Sequence, residues 1–322
     1  MENVAFGFLN IKRVFGKIIF VFLALFSHIG SAQCDSTYIA PFEQEFSAGV
    51  YSYYPFTMLT HTTDDNNSTT YMPNSPVGLG LSVSYKNFSL SGGMGFNFLR
   101  DPKFGKTNVL DWQYHYYGQK FILDIFFQNY KGFYSYAEDK TIVLHPDIQL
   151  AQYGLFGQYI FNNKKFSYRA AFNHSERQLK SAGSIQLGGG FYYNHISSTT
   201  SLTINEQNQL NNYQLCLSGG YVYTFVIEKD FHATVGMSVG MNVGTESLKI
   251  KRVNISPNIF PRISAGYNAD NWSVGLSFVM NRTYISNNEK LNMLFDTGYA
   301  ELSFIKRFNK APKFLHQVKF LN

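Results

Sequence analysis

Apolar residues recur at every second position along most of this chain. The clearest stretch is FHATVGMSVGMNVG, 231–244, in which Phe231, Ala233, Val235, Met237, Val239, Met241 and Val243 alternate with His, Thr, Gly, Ser, Gly, Asn and Gly. Successive side chains of a strand project to opposite faces, so this alternation predicts a strand with one apolar and one polar face. The same rule holds from Val77 to Tyr85, Phe88 to Phe98, Leu110 to Tyr116, Phe121 to Phe127 and Trp272 to Met280.

A soluble sandwich would also alternate, but three features favour a membrane. The predicted strands run about 10 to 14 residues, long for a globular sheet and suited to a tilted bilayer crossing. Their polar faces are mostly Gly, Ser, Thr, Asn and Gln, with few of the Lys and Glu residues that keep an exposed sheet soluble. Aromatic residues crowd strand ends, at Tyr51, Tyr53 and Tyr54, Tyr116 and Tyr117, and Tyr221 and Tyr223, where interfacial girdles are expected. Backbone amides in hydrocarbon must all be paired, which a closed barrel achieves. The pattern therefore predicts an all-β fold, a transmembrane antiparallel β-barrel of about 12 to 14 strands.

Short links at Lys86-Asn87, Gly118-Gln119, 162–165, 228–230 and 269–271 read as tight periplasmic turns. The longer polar links 61–75, 99–108, 131–147, 245–257 and 282–293 read as outer loops. About thirteen strands are legible, and adding Ser197 to Ile204 (SSTTSLTI) makes fourteen with both ends in the periplasm; twelve is the alternative. The barrel is expected over 45–308, between a periplasmic segment 33–44 and a tail 309–322.

Composition sharpens the compartment. Charged residues are 15% and aromatics 17% of the 322 residues. Lys12, Arg13 and Lys17 precede the apolar run Ile18 to Phe26, and Gly30-Ser31-Ala32 offers a cleavage point, so 1–32 reads as a signal peptide. Its removal leaves 24 basic and 20 acidic residues, a net charge of +4 that gives no argument for nucleic acid. Cys34 and Cys216 are the two cysteines, too few for a disulfide scaffold. No CxxC, HExxH or Cys/His cluster suggests a metal or cofactor.

The segments DSTYIAPF (35–42), YMPNSPVGLGLSVSY (71–85), YGQKFILDIFFQNYKGFY (117–134) and RQLKSAGSIQLGGGFYYN (177–194) resemble an exported, uncharacterised family from Bacteroidetes, catalogued as domain of unknown function 4421. The resemblance covers roughly Asp35 to Phe308. It implies an envelope location and a barrel and supplies no catalytic residue.

Candidate chemistry lies first in VLDWQYHYYGQKFILDIFFQ, 109–128. If Tyr117 pairs with Lys120, Gln113 faces Asp124, Val109 faces Gln128, and Asp111 and His115 sit diagonally beside Asp124. Asp111, Gln113, His115, Asp124 and Gln128 then form a lumenal polar cluster opposite a lipid face of Leu110, Trp112, Tyr114, Leu123 and Ile125. An acid, an imidazole and a second acid can do acid-base work, but no nucleophile is evident, and Ser135 is expected in a loop beyond the strand. A pore-lining or structural network is the plainer reading. In NHSERQLKSAGS, 173–184, near an expected outer turn, Arg177 and Lys180 could hold an anionic headgroup or a partner protein, or simply pair with local acids. Lys249, Lys251 and Arg252 beside Glu246 read as a solvated loop. Cys216, on the polar parity of its strand, reads as an isolated thiol.

The sequence thus predicts a non-enzymatic outer-membrane barrel, a narrow channel or structural envelope component, contacting outer-membrane lipid and an envelope protein partner. The alternatives are an accessory of a secretion or surface-assembly machine, and a membrane-embedded hydrolase using the Asp/His cluster.

Overall fold

The computed structural model describes residues 34–62, 67–85, 88–200, 208–246, 253–287 and 291–312. The expected signal peptide 1–32, the Lys86-Asn87 turn, and Lys249, Lys251 and Arg252 lie outside them. Strands are numbered in chain order. One antiparallel sheet runs through β5 (Phe88–Gly95), β4 (Gly78–Tyr85), β2 (Phe46–Thr62), β15 (Leu291–Phe308), β14 (Trp272–Asn287), β13 (Asn254–Asn268), β12 (Phe231–Thr245), β11 (Gln209–Val226), β10 (Ala182–Ser197), β8 (Ile142–Ile160), β7 (Phe121–Tyr136) and β6 (Asn108–Tyr117). The short β3 (Ser68–Tyr71) adds to β2, while β1 (Ile39–Pro41) and β9 (Glu176–Gln178) pair separately. The sheet curls into a nearly closed barrel: its ends, β5 and β6, lie side by side, but no backbone ladder joins them among the described residues.

Twelve barrel strands are present among the described residues, the lower number in the predicted range. The fourteenth-strand reading of Ser197 to Ile204 is corrected: β10 ends at Ser197, Ser198 to Thr200 carry no strand, and 201–204 lie outside the described residues. Pro257 suggested a loop, yet it lies inside β13, on its outward face opposite Met241. Likewise most of 131–147 is strand, leaving only 137–141 as the link from β7 to β8. A bulge at Gly132, whose φ of 92° suits glycine, shifts that ladder between Lys131 and Phe133 and carries both strands beyond the barrel.

The alternation sets the two faces. On β12, Met237 and Met241 are 55% and 61% exposed, while Thr234 and Asn242 are 0% exposed. The apolar residues therefore form the lipid-facing band, and the small polar ones the interior. Several inward glycines seat an aromatic ring from the neighbouring strand, as Tyr51 does over Gly80 and Phe126 over Gly154. A Cβ at either glycine would collide with that ring, which accounts for the glycine-rich strands as sockets for inward aromatics. Tyr51, Tyr53 and Tyr117 consequently face inward and do not belong to a girdle, whereas Tyr54 and Tyr221 face out. The correction has a simple cause: aromatics at strand ends fit either face, and the parity of the neighbouring glycines decides which.

Tight turns occupy one end of the barrel, with one exception. The expected hairpin at 162–165 does not return to the sheet; 161–181 leaves β8, forms a single π-turn (Arg169–Asn173) and β9, and folds into the interior before β10 begins. This segment is a plug. Ser167 Oγ donates to the Glu176 carboxylate at 2.6 Å, Arg169 pairs with the same carboxylate at 2.9 Å, and Ser167 also receives the Ala170 N–H. The N-terminal segment is part of the assembly through β1, and the Asp35 N–H donates to the Lys164 carbonyl at 2.9 Å.

Candidate functional site: a lumen closed at three levels

The first level is apolar. Leu59, Tyr130, Leu150, Ile196, Leu210, Ile285 and Phe295, from seven strands around the barrel, meet in one buried cluster toward the long-loop end. Above it the loops are tied down: Asn74 Nδ2 donates to the carbonyls of Asp101 and Gly105 at 2.9 and 2.7 Å, and Phe104 stacks on Tyr134 at 4.5 Å.

The second level is an ion pair across the lumen. Arg262 on β13 reaches the Asp124 carboxylate on β7 at 3.2 Å, and the two side chains are 7% and 8% exposed as residues. These strands lie five steps apart along the sheet, almost opposite each other in a twelve-strand barrel. His115 Nδ1 bonds the other Asp124 oxygen at 2.7 Å, and the Arg262 guanidinium sits over the ring of Tyr168 in the plug. Phe156 on β8 meets Phe260 on β13 at 5.3 Å at the same depth. A polar ladder completes the wall: Asn258 donates to Asn242 and to the Cys216 thiol, and Asn242 donates to Gln214.

This geometry divides the predicted lumenal cluster into two groups. The hairpin turn lies one residue later than expected, with the Gly118 N–H bonded to the Phe121 carbonyl around Gln119-Lys120. Every partner shifts while both faces are kept: Asp111 stands opposite Gln128, His115 opposite Asp124, and Gln113 opposite Phe126. The Gln113 side chain lies outside the described residues. Asp111 accepts from Gln128 at 3.1 Å and from Tyr130 at 2.9 Å, forming one group, while His115, Asp124 and Arg262 form the other. Sequence reading missed Arg262; its even-numbered parity on β13, shared with Ser264 and Asn258, was the available signal, hidden by Pro257 and Pro261.

Ser135 is on β7 and not in a loop, because the bulge prolongs the strand, and its hydroxyl bonds His145 Nε2 at 2.8 Å. Both residues are buried, and neither lines the cavities beside His115. A serine–imidazole contact at that distance has the form of an activated nucleophile. Here it ties β7 to β8 just past the bulge.

The third level is the plug, placed at the turn end and not at an outer turn. Arg177 donates to the Asn268 carbonyl at 2.9 Å and contacts the carboxylates of Asp270 and Asp230 at 3.1 and 3.6 Å, so it clamps the plug to two turns of the barrel. Lys180 is exposed and lies over the Tyr38 ring at 5.3 Å, with Lys165 over the same ring at 5.0 Å. Ser264 donates to the Ala171 carbonyl, and Arg307 to the His174 carbonyl at 2.7 Å. His174 occupies the space left by Gly266 and Gly275, with His232 5.4 Å away.

Burial first, then the nearby His232 and Arg307, push the His174 imidazole from 6.5 down to about 3. Docking therefore requires the neutral ring. The undocked residue takes a proton near pH 6.5 and the docked one does not, so docking is fully favoured above pH 6.5 and weakens as pH falls toward 3. At pH 5 the loss is about 2 kcal/mol. Hydrogen exchange of the 170–173 amides, corrected for intrinsic chemistry, is expected to speed up relative to barrel amides between pH 7 and 5; an unchanged ratio would contradict the buried neutral ring.

Fold and site define a membrane-type β-barrel with a filled lumen. The chain belongs to the family described as Domain of unknown function (DUF4421), whose model matches residues 33–308. No curated protein matches it. Among solved structures it is similar to the outer membrane protease OmpT from Escherichia coli, at 9% identity over 83% of this chain and 98% of that one, TM-score 0.36. It is also similar to a bacterial polysaccharide outer membrane secretin, at 10% identity over 83% and 99%, TM-score 0.36. A third similar structure is an outer membrane channel from Pseudomonas putida F1, at 7% identity over 86% and 100%, TM-score 0.31. None of these likenesses lends a residue a role.

Proposed function

We propose that this protein is a closed outer-membrane barrel that serves the Gram-negative envelope as a structural or partner-binding component and conducts no solute in this conformation. The observation that carries this reading is the Asp124–Arg262 pair, which spans the lumen between the apolar cluster and the plug. Displacing the plug alone would leave the other two levels in place, which argues against a channel gated by 161–181. The hydrolase alternative has weak support: the Asp124 carboxylate is committed to both His115 and Arg262, and the Ser135–His145 pair is buried. A partner would meet the turn end, where β1, β9, Lys165 and Lys180 present an ordered surface.

Planar bilayers test this directly. Purified, folded barrel is expected to give no discrete conductance steps at neutral pH, and an Asp124→Lys variant that stays folded should also be silent. Reproducible steps from the unmodified protein would replace the proposal with a channel.

A further inference from the structure

The barrel wall is weakest between β5 and β6. No ladder joins these strands among the described residues, and β5 is built from small residues, Ser91, Gly92, Gly93 and Gly95, around Met94. A Cβ at Gly92 would meet nothing, so the edge is open to its surroundings. In hydrocarbon, unpaired backbone groups at such an edge are costly and call for a polar partner.

Two cavities flank this edge. Outside, an apolar groove of about 780 Å³ crosses β5, β4, β2 and β15 and is lined by Leu79, Leu81, Met94, Val50, Leu302 and Phe304. Inside, a cavity of about 80 Å³ is lined by polar groups that include Ser82, Ser84, Ser91, His115, Tyr51 and Glu301. Tyr51 and Ser303 line both, so one strand's thickness separates them. Tyr114 belongs to the outward parity of β6 with Trp112, yet it lines the inner cavity, which therefore reaches the wall at the seam.

Charge decides the occupant. Asp124 is neutralised by Arg262, but Glu301 makes no ion pair among the described residues and faces the cavity. A carboxylic head would set a second acid beside Glu301, whereas an amine can take or share the Glu301 proton and pair with it. The outer groove faces acyl chains, so its natural content is a hydrocarbon chain.

We propose that the β5–β6 seam is a lateral binding site for a single-chain amphiphile with a primary-amine head. The chain lies in the outer groove, and the head passes over Gly92 and Gly93 to hydrogen-bond Glu301 and Tyr51. Binding of this kind needs no open lumen, so it stands or falls separately from the closed-barrel reading.

The test uses the full barrel in phosphatidylcholine nanodiscs with a photoreactive hexadecylamine. Label is expected to concentrate on peptides containing Leu79 to Leu81, Met94 and Leu302 to Phe304, and unlabelled hexadecylamine should compete at least tenfold better than hexadecanoate. Glu301→Gln should remove that preference, and Ser91→Phe, which fills the inner cavity, should reduce labelling by at least tenfold. Each variant is first checked for heat-modifiable migration, and if Glu301→Gln fails to fold, Ser91→Phe decides. Label spread equally over the outward residues of β10 to β12, or equal competition by amine and acid, would overturn the proposal.

Discussion

Arg262→Leu should cost the barrel about 3–5 kcal/mol, because it leaves Asp124 as a buried carboxylate with His115 as its remaining hydrogen-bond partner. The loss is read as a lower midpoint for the gel shift on heating, or as a lower urea midpoint in detergent. Removing both charges has a different expected result. In Arg262→Leu combined with Asp124→Leu neither charge of the pair is left without the other, and a well-filled apolar replacement of a buried pair is often neutral. The double variant should therefore recover most of what the single one loses. If the single variant melts with the wild type, the pair does not bridge the lumen. Equal losses in single and double variants would show that packing, including the Tyr168 contact, outweighs charge.

A second large effect is expected from Gly275→Val. A Cβ at this position would run into the His174 ring, which is backed by Gly266, His232 and the Asn268 side chain and has little room to retreat. Overpacking of this kind costs about 1–3 kcal/mol, and here the cheapest relief is to expel the plug. Expulsion releases the backbone around Lys164, Lys165, Arg169, Arg177 and Lys180, which trypsin needs unfolded to cleave. Cleavage within 161–181 should accelerate about 5- to 150-fold while the strands stay protected. Gly92→Val is the control, since its added carbon meets nothing. Equal cleavage in the two variants would mean that His174 does not hold the plug.

The strands were legible because alternation is a local property. Phe231 to Thr245 can be assigned, with both faces, from its own residues. The lipid face of β6 and β7 was readable for the same reason, and a turn displaced by one residue changed partners without changing faces. What stayed hidden depends on pairs far apart in the chain. Nothing local to Arg262 says that Asp124 lies across from it. The plug escaped because Asn162 to Lys165 have the composition of a turn, and a turn residue does not reveal whether the chain next re-enters a sheet or fills a barrel. Tyr51 and Tyr53 were misplaced because a tyrosine is equally at home in a headgroup layer and over a glycine. The glycines Gly78 and Gly80, two strands' width away in sequence, carried the missing information.

The plug also dictates an order of assembly. Its anchors lie far downstream: Asn268 receives His174 across 94 residues, and Arg307 reaches the His174 carbonyl across 133. The segment 161–181 emerges before any of β10 to β15 exists, so the downstream side of its seat is absent until the chain is nearly complete. Contacts of such long separation form late, after the entropy of closing the chain between them has been lost. A barrel that stalls before β15 joins β2 would thus carry its plug loose at the turn end. The docked plug is in effect a record that the last strand has arrived.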